Sequence, residues 1–210
     1  MSNLFEIKHP LVQHHLSRLR DKHTPPSEFR RVIHRLAYLV TYEATKDMTL
    51  QAQKVETPLA VASGYTLKQR IGLIPILRAG LGMVDPVLTL LPGAEVWHLG
   101  FYRDEKTLKP VEYYKKLPPT DPVDVAFILD PMLATGGSAV AALEAMKEWG
   151  VPKVKLLGMI AAPEGIAKVH AHHPDTQIYV CKVDDGLNDQ GYILPGLGDA
   201  GDRIFNAQAT

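Results

Sequence analysis

The stretch VDVAFILDPMLATGGSAVAAL, residues 123 to 143, decides how the rest of the chain is read. Val123, Val125, Phe127, Ile128 and Leu129 form a short apolar run rich in β-branched and aromatic residues, the pattern of a strand buried on both faces of a parallel sheet. Asp130 stands at its end, and Pro131, which has no N–H for a ladder, predicts that the strand stops there. Ala134-Thr135-Gly136-Gly137-Ser138 then supplies two glycines and two hydroxyls without bulk. The Ala-rich run beyond it predicts a helix that closes at Gly150, with Pro152 following. A helix start gathers unpaired N–H groups at the positive end of its dipole, and glycines let a phosphate approach the main chain. Taken alone, the fragment fits a phosphate site and an ordinary strand-to-helix turn equally. No GxxxxGK[ST] occurs, which excludes a Walker-type loop.

An apolar strand, an acid and LATGGS resemble the phosphoribosyl diphosphate (PRPP) signature of the type I phosphoribosyltransferases, and DPMLATGGS resembles the form found in the uracil phosphoribosyltransferase family. The departure from the commoner pair of acids, Asp130-Pro131 here, narrows the match. HPLV at 9 to 12, LVTYEAT at 39 to 45, PILRAGLGM at 75 to 83, AAPEGI at 161 to 166 and GYILPGLGDAGDRIF at 191 to 205 agree with the same family. The likeness runs through nearly the whole chain.

Composition sets the outer bounds. The 210 residues can bury a substantial core and fit one domain, 1 to 210, better than two. Lys plus Arg equals Asp plus Glu at 23 each, so no general attraction toward nucleic acid or an acidic membrane is expected. The single cysteine, Cys181, has no intramolecular partner; it reads as core and is compatible with a reducing cytosol. The first residues lack the apolar core of a signal peptide, and no run of about 18 apolar residues occurs. A soluble cytoplasmic protein is expected.

Around the central unit, residues 1 to 26 read as polar and end at Thr24-Pro25-Pro26, with Ser27 as the cap of a helix whose buried face carries Phe29, Val32, Ile33, Leu36, Ala37 and Val40. Residues 46 to 70 suggest a short strand or two and a loop. Ile71 to Leu77, Glu95 to Phe101, Val154 to Ala161 and Gln177 to Val183 read as strands, and Met83 to Leu91 and the segment opening at Pro163 as helices. Strands separated by helical patterns imply an α/β fold: a mainly parallel twisted sheet flanked by helices on both faces. Arg78, between a buried strand and Gly80, should reach the carboxyl edge of the sheet, where its planar fork suits a diphosphate; a surface ion pair is the alternative. Residues 102 to 118, with Arg103, Lys106, Lys109, Lys115 and Lys116, read as a solvated loop or a lid.

Residues 184 to 205 hold five glycines and five aspartates and are not expected to form a regular element. Gly196 to Gly201 spells GxGxxG, but too few residues follow for the helix and second strand of a dinucleotide fold. Apolar anchors at Tyr192, Ile193, Leu194, Leu197, Ile204 and Phe205 argue against a disordered end. His14, His15, His170, His172 and His173 match no strong metal pattern.

The resemblance implies that uracil and PRPP, with Mg²⁺, give UMP and diphosphate. It implies that Asp130, Arg103 and Asp199 take part in catalysis, and that PRPP is bound by Arg78, Arg103, Asp130, Pro131, Met132, Leu133, Ala134, Thr135, Gly136, Gly137, Ser138 and Asp199. Ile193, Gly198, Asp199 and Ala200 would contact uracil; residues 102 to 118 would form an arm over the site, and 184 to 205 a uracil-binding tail. No direct protein ligand to the metal is implied. Some relatives are activated by GTP and assemble as dimers or larger homo-oligomers, neither of which follows from the residues. A competing class, an RNA-binding regulator on the same fold, would need a basic face that the balanced charge does not favour. Within the enzyme class, a different base remains an alternative, because only the tail selects it.

Overall fold

The computed structural model describes residues 3–103 and 110–207, with the backbone alone at 102, 103 and 110. In chain order the elements are β1 (Leu4–Glu6), α1 (Pro10–Arg20), α2 (Pro26–Ala44), β2 (Leu50–Glu56), β3 (Val61–Leu67), β4 (Ile71–Leu77), α3 (Leu81–Leu90), β5 (Glu95–Val96), β6 (Leu99–Arg103), β7 (Pro110–Lys115), β8 (Val125–Leu129), β9 (Met132–Leu133), α4 (Gly137–Trp149), β10 (Lys153–Ala161), α5 (Pro163–His172), β11 (Gln177–Val183), β12 (Gly186–Leu187), β13 (Ile193–Leu194) and α6 (Ala200–Phe205).

The main sheet runs β1-β11-β10-β8-β4-β6-β7, with β5 also on β4 and β9 also on β10. Its pairs are parallel except β6–β7. The strands are apolar on both faces because both faces are covered. Along β8, Val125, Phe127 and Leu129 enter one core with residues of α1, α2, α3 and α6, while Ala126 and Ile128 enter the other with α4 and α5. This is the period-2 consequence of a strand sandwiched between helices. From β4 the chain moves through α3 to β6 on one side, then returns to β8 on the other and continues outward through β10 to β11. The direction of winding therefore reverses between β4 and β8, and crevices at such reversals open beyond the carboxyl ends of the strands.

Several expectations need correction. Residues 1 to 26 are not merely polar lead-in: β1 adds to the edge of the sheet and α1 buries Val12, Leu16 and Leu19. α2 starts at Pro26 with Pro25 as its cap residue, not at Ser27; a proline at the first helical position has its φ preset and lacks only an N–H that would be unpaired anyway. The central strand stops one residue early, at Leu129, and the chain rejoins the sheet at Met132–Leu133 beside β10. The strand expected from Glu95 to Phe101 is interrupted at Trp97 and His98, although β5 and β6 keep one register against β4. Residues 110–115 form β7, which folds back on β6, so part of the 102 to 118 segment is sheet; its prolines and lysines hide the alternation. The 184 to 205 tail does contain regular elements, the β12–β13 pair and the six-residue α6. Of its six apolar anchors only Ile193, Leu197 and Ile204 are buried. The helix closing at Gly150 and the presence of strands, β2 and β3, between 46 and 70 agree with the sequence reading; that these two strands pair antiparallel with each other is shown only by the structure.

Candidate active site

At the winding reversal, the ends of β4 and β8 meet. Gly80, in the turn after β4, lies so close to β8 that a Cβ there would stand 2.3 Å from the Leu129 carbonyl. Glycine is thus what lets the Arg78-Ala79-Gly80 turn sit against the end of the central strand. Arg78 and Asp130 then emerge side by side and, with Ile76, Leu77, Ala79, Phe101, Ser138, Asp199 and Gly201, line a cavity of about 240 Å³. The peptide between Leu77 and Arg78 is cis. The Arg78 guanidinium is exposed and donates to Asp202 Oδ1 at 3.2 Å.

An adjoining hollow of about 60 Å³ is lined by Asp130 and by Met132 through Ala139. Gly136 holds the cap position of α4 with φ 76°, and no side chain caps the helix there. The N–H groups of the first turn therefore face the hollow with the positive end of a 13-residue helix behind them. The loop rests on α5: a Cβ on Gly165 would lie 2.3 Å from the Ala134 carbonyl, and one on Gly136 2.8 Å from the Gly165 carbonyl. Two glycines from distant motifs thus press one backbone against another, and the EG pair of AAPEGI has a mechanical reason.

The tail reaches the cavity from the far end of the chain. A Cβ on Gly82 of α3 would lie 2.9 Å from Ile204 Cδ1, so α6 packs directly on the first turn of α3. Asp199 caps α6, its Oδ1 accepting from Asp202 N at 2.9 Å. Arg30 of α2 donates to the Ile204 carbonyl at 2.7 Å, which ties the far end of α6 down. Glu164 Oε1 accepts from Leu187 N at 3.1 Å, linking the β12–β13 pair to the start of α5.

Removal from water pushes the Asp130 carboxyl up to about 6; the hydrogen bond from Met132 N opposes this, and the nearby Asp199 carboxylate adds to it. Two carboxylates beside an exposed guanidinium and an open helix start make a site able to take a cation together with anions. Burial likewise pushes the Cys181 thiol up, and this buried free cysteine lies in the core as expected.

Of the residues singled out in the sequence, Arg78, Asp130, Ser138 and Asp199 share the larger cavity, and Met132, Leu133, Ala134, Thr135, Gly136 and Gly137 line the hollow beside it. Pro131 is buried behind them. Ile193, Gly198 and Ala200 lie along the tail without lining either space; Ile193 and Ala200 are buried. Arg103 closes β6, and its side chain lies outside the described residues, as do Lys106 and Lys109. Sequence reasoning missed Phe101, Gly201 and the anchoring residues Arg20, Arg30, Asp184 and Arg203; the last four pair across most of the chain, and no local spacing points to such partners. Among the described residues, no group of three or more His, Cys, Asp or Glu side chains could hold a metal, and no helix is long and apolar enough to cross a membrane.

The sequence profile of the Uracil phosphoribosyltransferase family matches residues 6–207. A uracil phosphoribosyltransferase of Roseiflexus sp. (strain RS-1) is 58% identical over 205 residues, 98% of this chain and 99% of the relative. Another, of Thermoanaerobacter sp. (strain X514), is 53% identical over 98% of this chain and 99% of its own length. Among solved structures, that of a protein from Aquifex aeolicus matches with a TM-score of 0.93 at 38% identity, covering 99% of this chain and 100% of the other. A hypoxanthine-guanine phosphoribosyltransferase of Bacillus anthracis, at a TM-score of 0.52 and 10% identity over 76% of this chain and 80% of its own, shares the fold alone. With the matched profile spanning almost every residue and relatives alike over their full length, the chain belongs to the uracil phosphoribosyltransferase family.

Proposed function

We propose that the protein joins uracil to PRPP, N1 of the base displacing diphosphate at C1 of the ribose to give UMP. The observation that carries this reading is the meeting of Arg78, Asp130, Ser138 and Asp199 around one cavity at the winding reversal, beside an uncapped helix start. The loop from Ala134 to Ser138, with Pro131, Met132 and Leu133 leading into it, holds the 5′-phosphate through main-chain N–H groups. Asp130 accepts from the ribose hydroxyls. Arg78 exchanges its exposed pairing with Asp202 for the diphosphate, and Arg103 acts on the same group from the arm formed by residues 102 to 118. The chain works as one domain over 1–210.

Uracil presents acceptor, donor, acceptor along O2, N3–H and O4, so a selective site must offer donor, acceptor, donor. Main chain around Gly198, Asp199 and Ala200 can do so without rotamer freedom, with Ile193 behind it. Cytosine would face an N–H with its amino group and a C=O with its N3 lone pair, and each such unpaired buried group costs about 1 to 3 kcal/mol.

The donor set fits Mg²⁺ held largely by substrate and water: two carboxylates, Asp130 and Asp199, border the cavity and repel each other in the protein alone. Mg²⁺, when bound, supplies neutralisation of the leaving diphosphate. The protein groups hold the two substrates in line and present fixed N–H dipoles and guanidinium where negative charge accumulates. The family resemblance further supports cytoplasmic location, assembly as a homodimer or larger homo-oligomer, and GTP as an activator. Incubation with PRPP, Mg²⁺ and a panel of free bases tests the reading: UMP should be the dominant product, and formation of another nucleotide, or none, would refute it.

A further inference from the structure

The two residues just before the main chain proposed to read the base, Gly196 and Leu197, are each held by an arginine bound at the C-terminal end of α1. Arg20, the last residue of α1, forks Asp184 at 2.9 and 2.5 Å and donates to the Gly196 carbonyl at 2.7 Å. The same Asp184 accepts from Gly196 N at 3.0 Å. Both polar groups of Gly196, at φ 62°, are therefore fixed by one ion pair, and its carboxylate side is only 1% exposed, against 23% for the arginine. At the next residue, Arg203 donates to the Leu197 carbonyl at 2.7 Å and also to the carbonyls of Leu19 at 2.7 Å and Asp21 at 2.6 Å. Its guanidinium lies 4.3 Å from the centre of the Phe29 ring.

Carbonyls at a helix C-terminus lack intrahelical donors and need outside partners. Here those partners come from the tail, so the end of α1 and the segment after Pro195 define each other's position. None of Arg20, Asp184 and Arg203 lines the cavity that holds Asp130 and Asp199, and their guanidinium and carboxylate groups are taken up by main-chain partners and by each other. The geometry points to a positioning role: the C-terminal end of α1, through Arg20 with Asp184 and through Arg203, sets the spacing of the main-chain groups from Gly198 to Ala200 and thereby the choice among pyrimidine bases. The inference rests on the reading above, in which that main chain meets uracil.

Arg20→Lys keeps the charge but cannot fork the carboxylate while reaching Gly196. In steady-state assays it should raise the KM for uracil about tenfold, leave the KM for PRPP within about twofold, and lower the uracil-to-cytosine ratio of kcat/KM by about tenfold or more. Arg203→Lys should do the same. A purely supporting ion pair predicts rescue by lysine, with the base ratio unmoved; that result, or parallel rises in both KM values, would overturn the proposal. To separate a folding defect, the double variant Arg20→Met with Asp184→Leu removes both charges, a replacement that folded proteins commonly tolerate. It should bind PRPP as the parent does yet lose base discrimination, and failure of all three variants to melt cooperatively would make these residues structural and end the argument. Wild-type protein that made no UMP would instead refute the underlying reading, whereas wild-type protein making UMP with variants of unchanged base ratio would refute only this inference.

Discussion

Two glycine-rich segments end in helix starts at this site, and they are finished in opposite ways. Residues 134 to 138 lead into α4, 13 residues long, with a left-handed glycine at the cap and no side-chain cap hydrogen bond. Residues 196 to 199 lead into α6, six residues long, with Asp199 at the cap and its carboxylate on Asp202 N. The first presents open donors and the positive end of a long dipole; the second is closed by its own anion. A phosphate is therefore welcome at one and repelled at the other, and the closed one is left for a neutral partner. That contrast also shows why GxGxxG in the tail is not a dinucleotide site: its helix start is already occupied by a carboxylate.

The comparison can be broken most severely at Asp130, which faces both segments. Asp130→Asn should lower turnover by a factor on the order of 10² or more while preserving the fold; near-normal rates in a steady-state assay would show that the carboxylate has no part in the reaction. Gly165→Ala acts on the open segment alone. Its methyl would meet the Ala134 carbonyl at 2.3 Å, so a loss of about 1 to 3 kcal/mol of stability is expected. The KM for PRPP should rise with the base ratio unchanged, and equal effects on both substrates would dissolve the distinction between the segments.

Stability against pH offers a sharper test at smaller amplitude. The Asp130 carboxyl titrates near 6 when folded, above its ordinary 3.8. The folded protein thus holds that proton more tightly than the unfolded chain does. Its contribution to stability is complete below about 3.8 and is lost as pH rises through 6. Asp130→Asn should therefore melt with wild type near pH 4 and above it at pH 8, by at most about 3 kcal/mol, less for the water that reaches the cavity. A variant no more stable at pH 8 than wild type would show that the carboxylate is well solvated. The smallest effect belongs to Asp199→Asn. Asparagine caps a helix about as well as aspartate, so α6 should persist while the repulsion on Asp130 is removed. The pH at which the loss of stability is complete, about 6 in the parent, should then move down modestly, and an unmoved profile would mean that the two carboxylates do not sense each other.

Much of the open segment was legible in the chain itself. The apolar run to Leu129, the acid after it, the small residues and the Ala-rich helix up to Gly150 are local signals, each set by backbone sterics, strand burial or helix capping within a few residues. The tail was legible only in part. Its glycines and aspartates suggested irregular chain, and α6 was missed because a six-residue helix has too few turns to display a period. Helix α1 was missed for a related reason: its three buried positions, Val12, Leu16 and Leu19, are spread through histidines, arginines and a serine that face water.

What the sequence by itself determined is therefore the set of parts: parallel strands that need cover on both faces, a glycine loop shaped for an anion, and an arginine turn at a strand end. Those follow from interactions among neighbours. Which parts meet was decided only in the tertiary structure, where the winding reversal between β4 and β8 joins Arg78 to Asp130 and the docking of α6 on α3 brings Asp199 beside them. The hydrogen bond between Arg78 and Asp202 spans 124 residues of chain, and no local pattern encodes a partner at that distance. It forms because burial of Ile204, Leu197 and Ile193 fixes the tail against the sheet's covering helices, and the polar groups then take the partners that this packing leaves within reach.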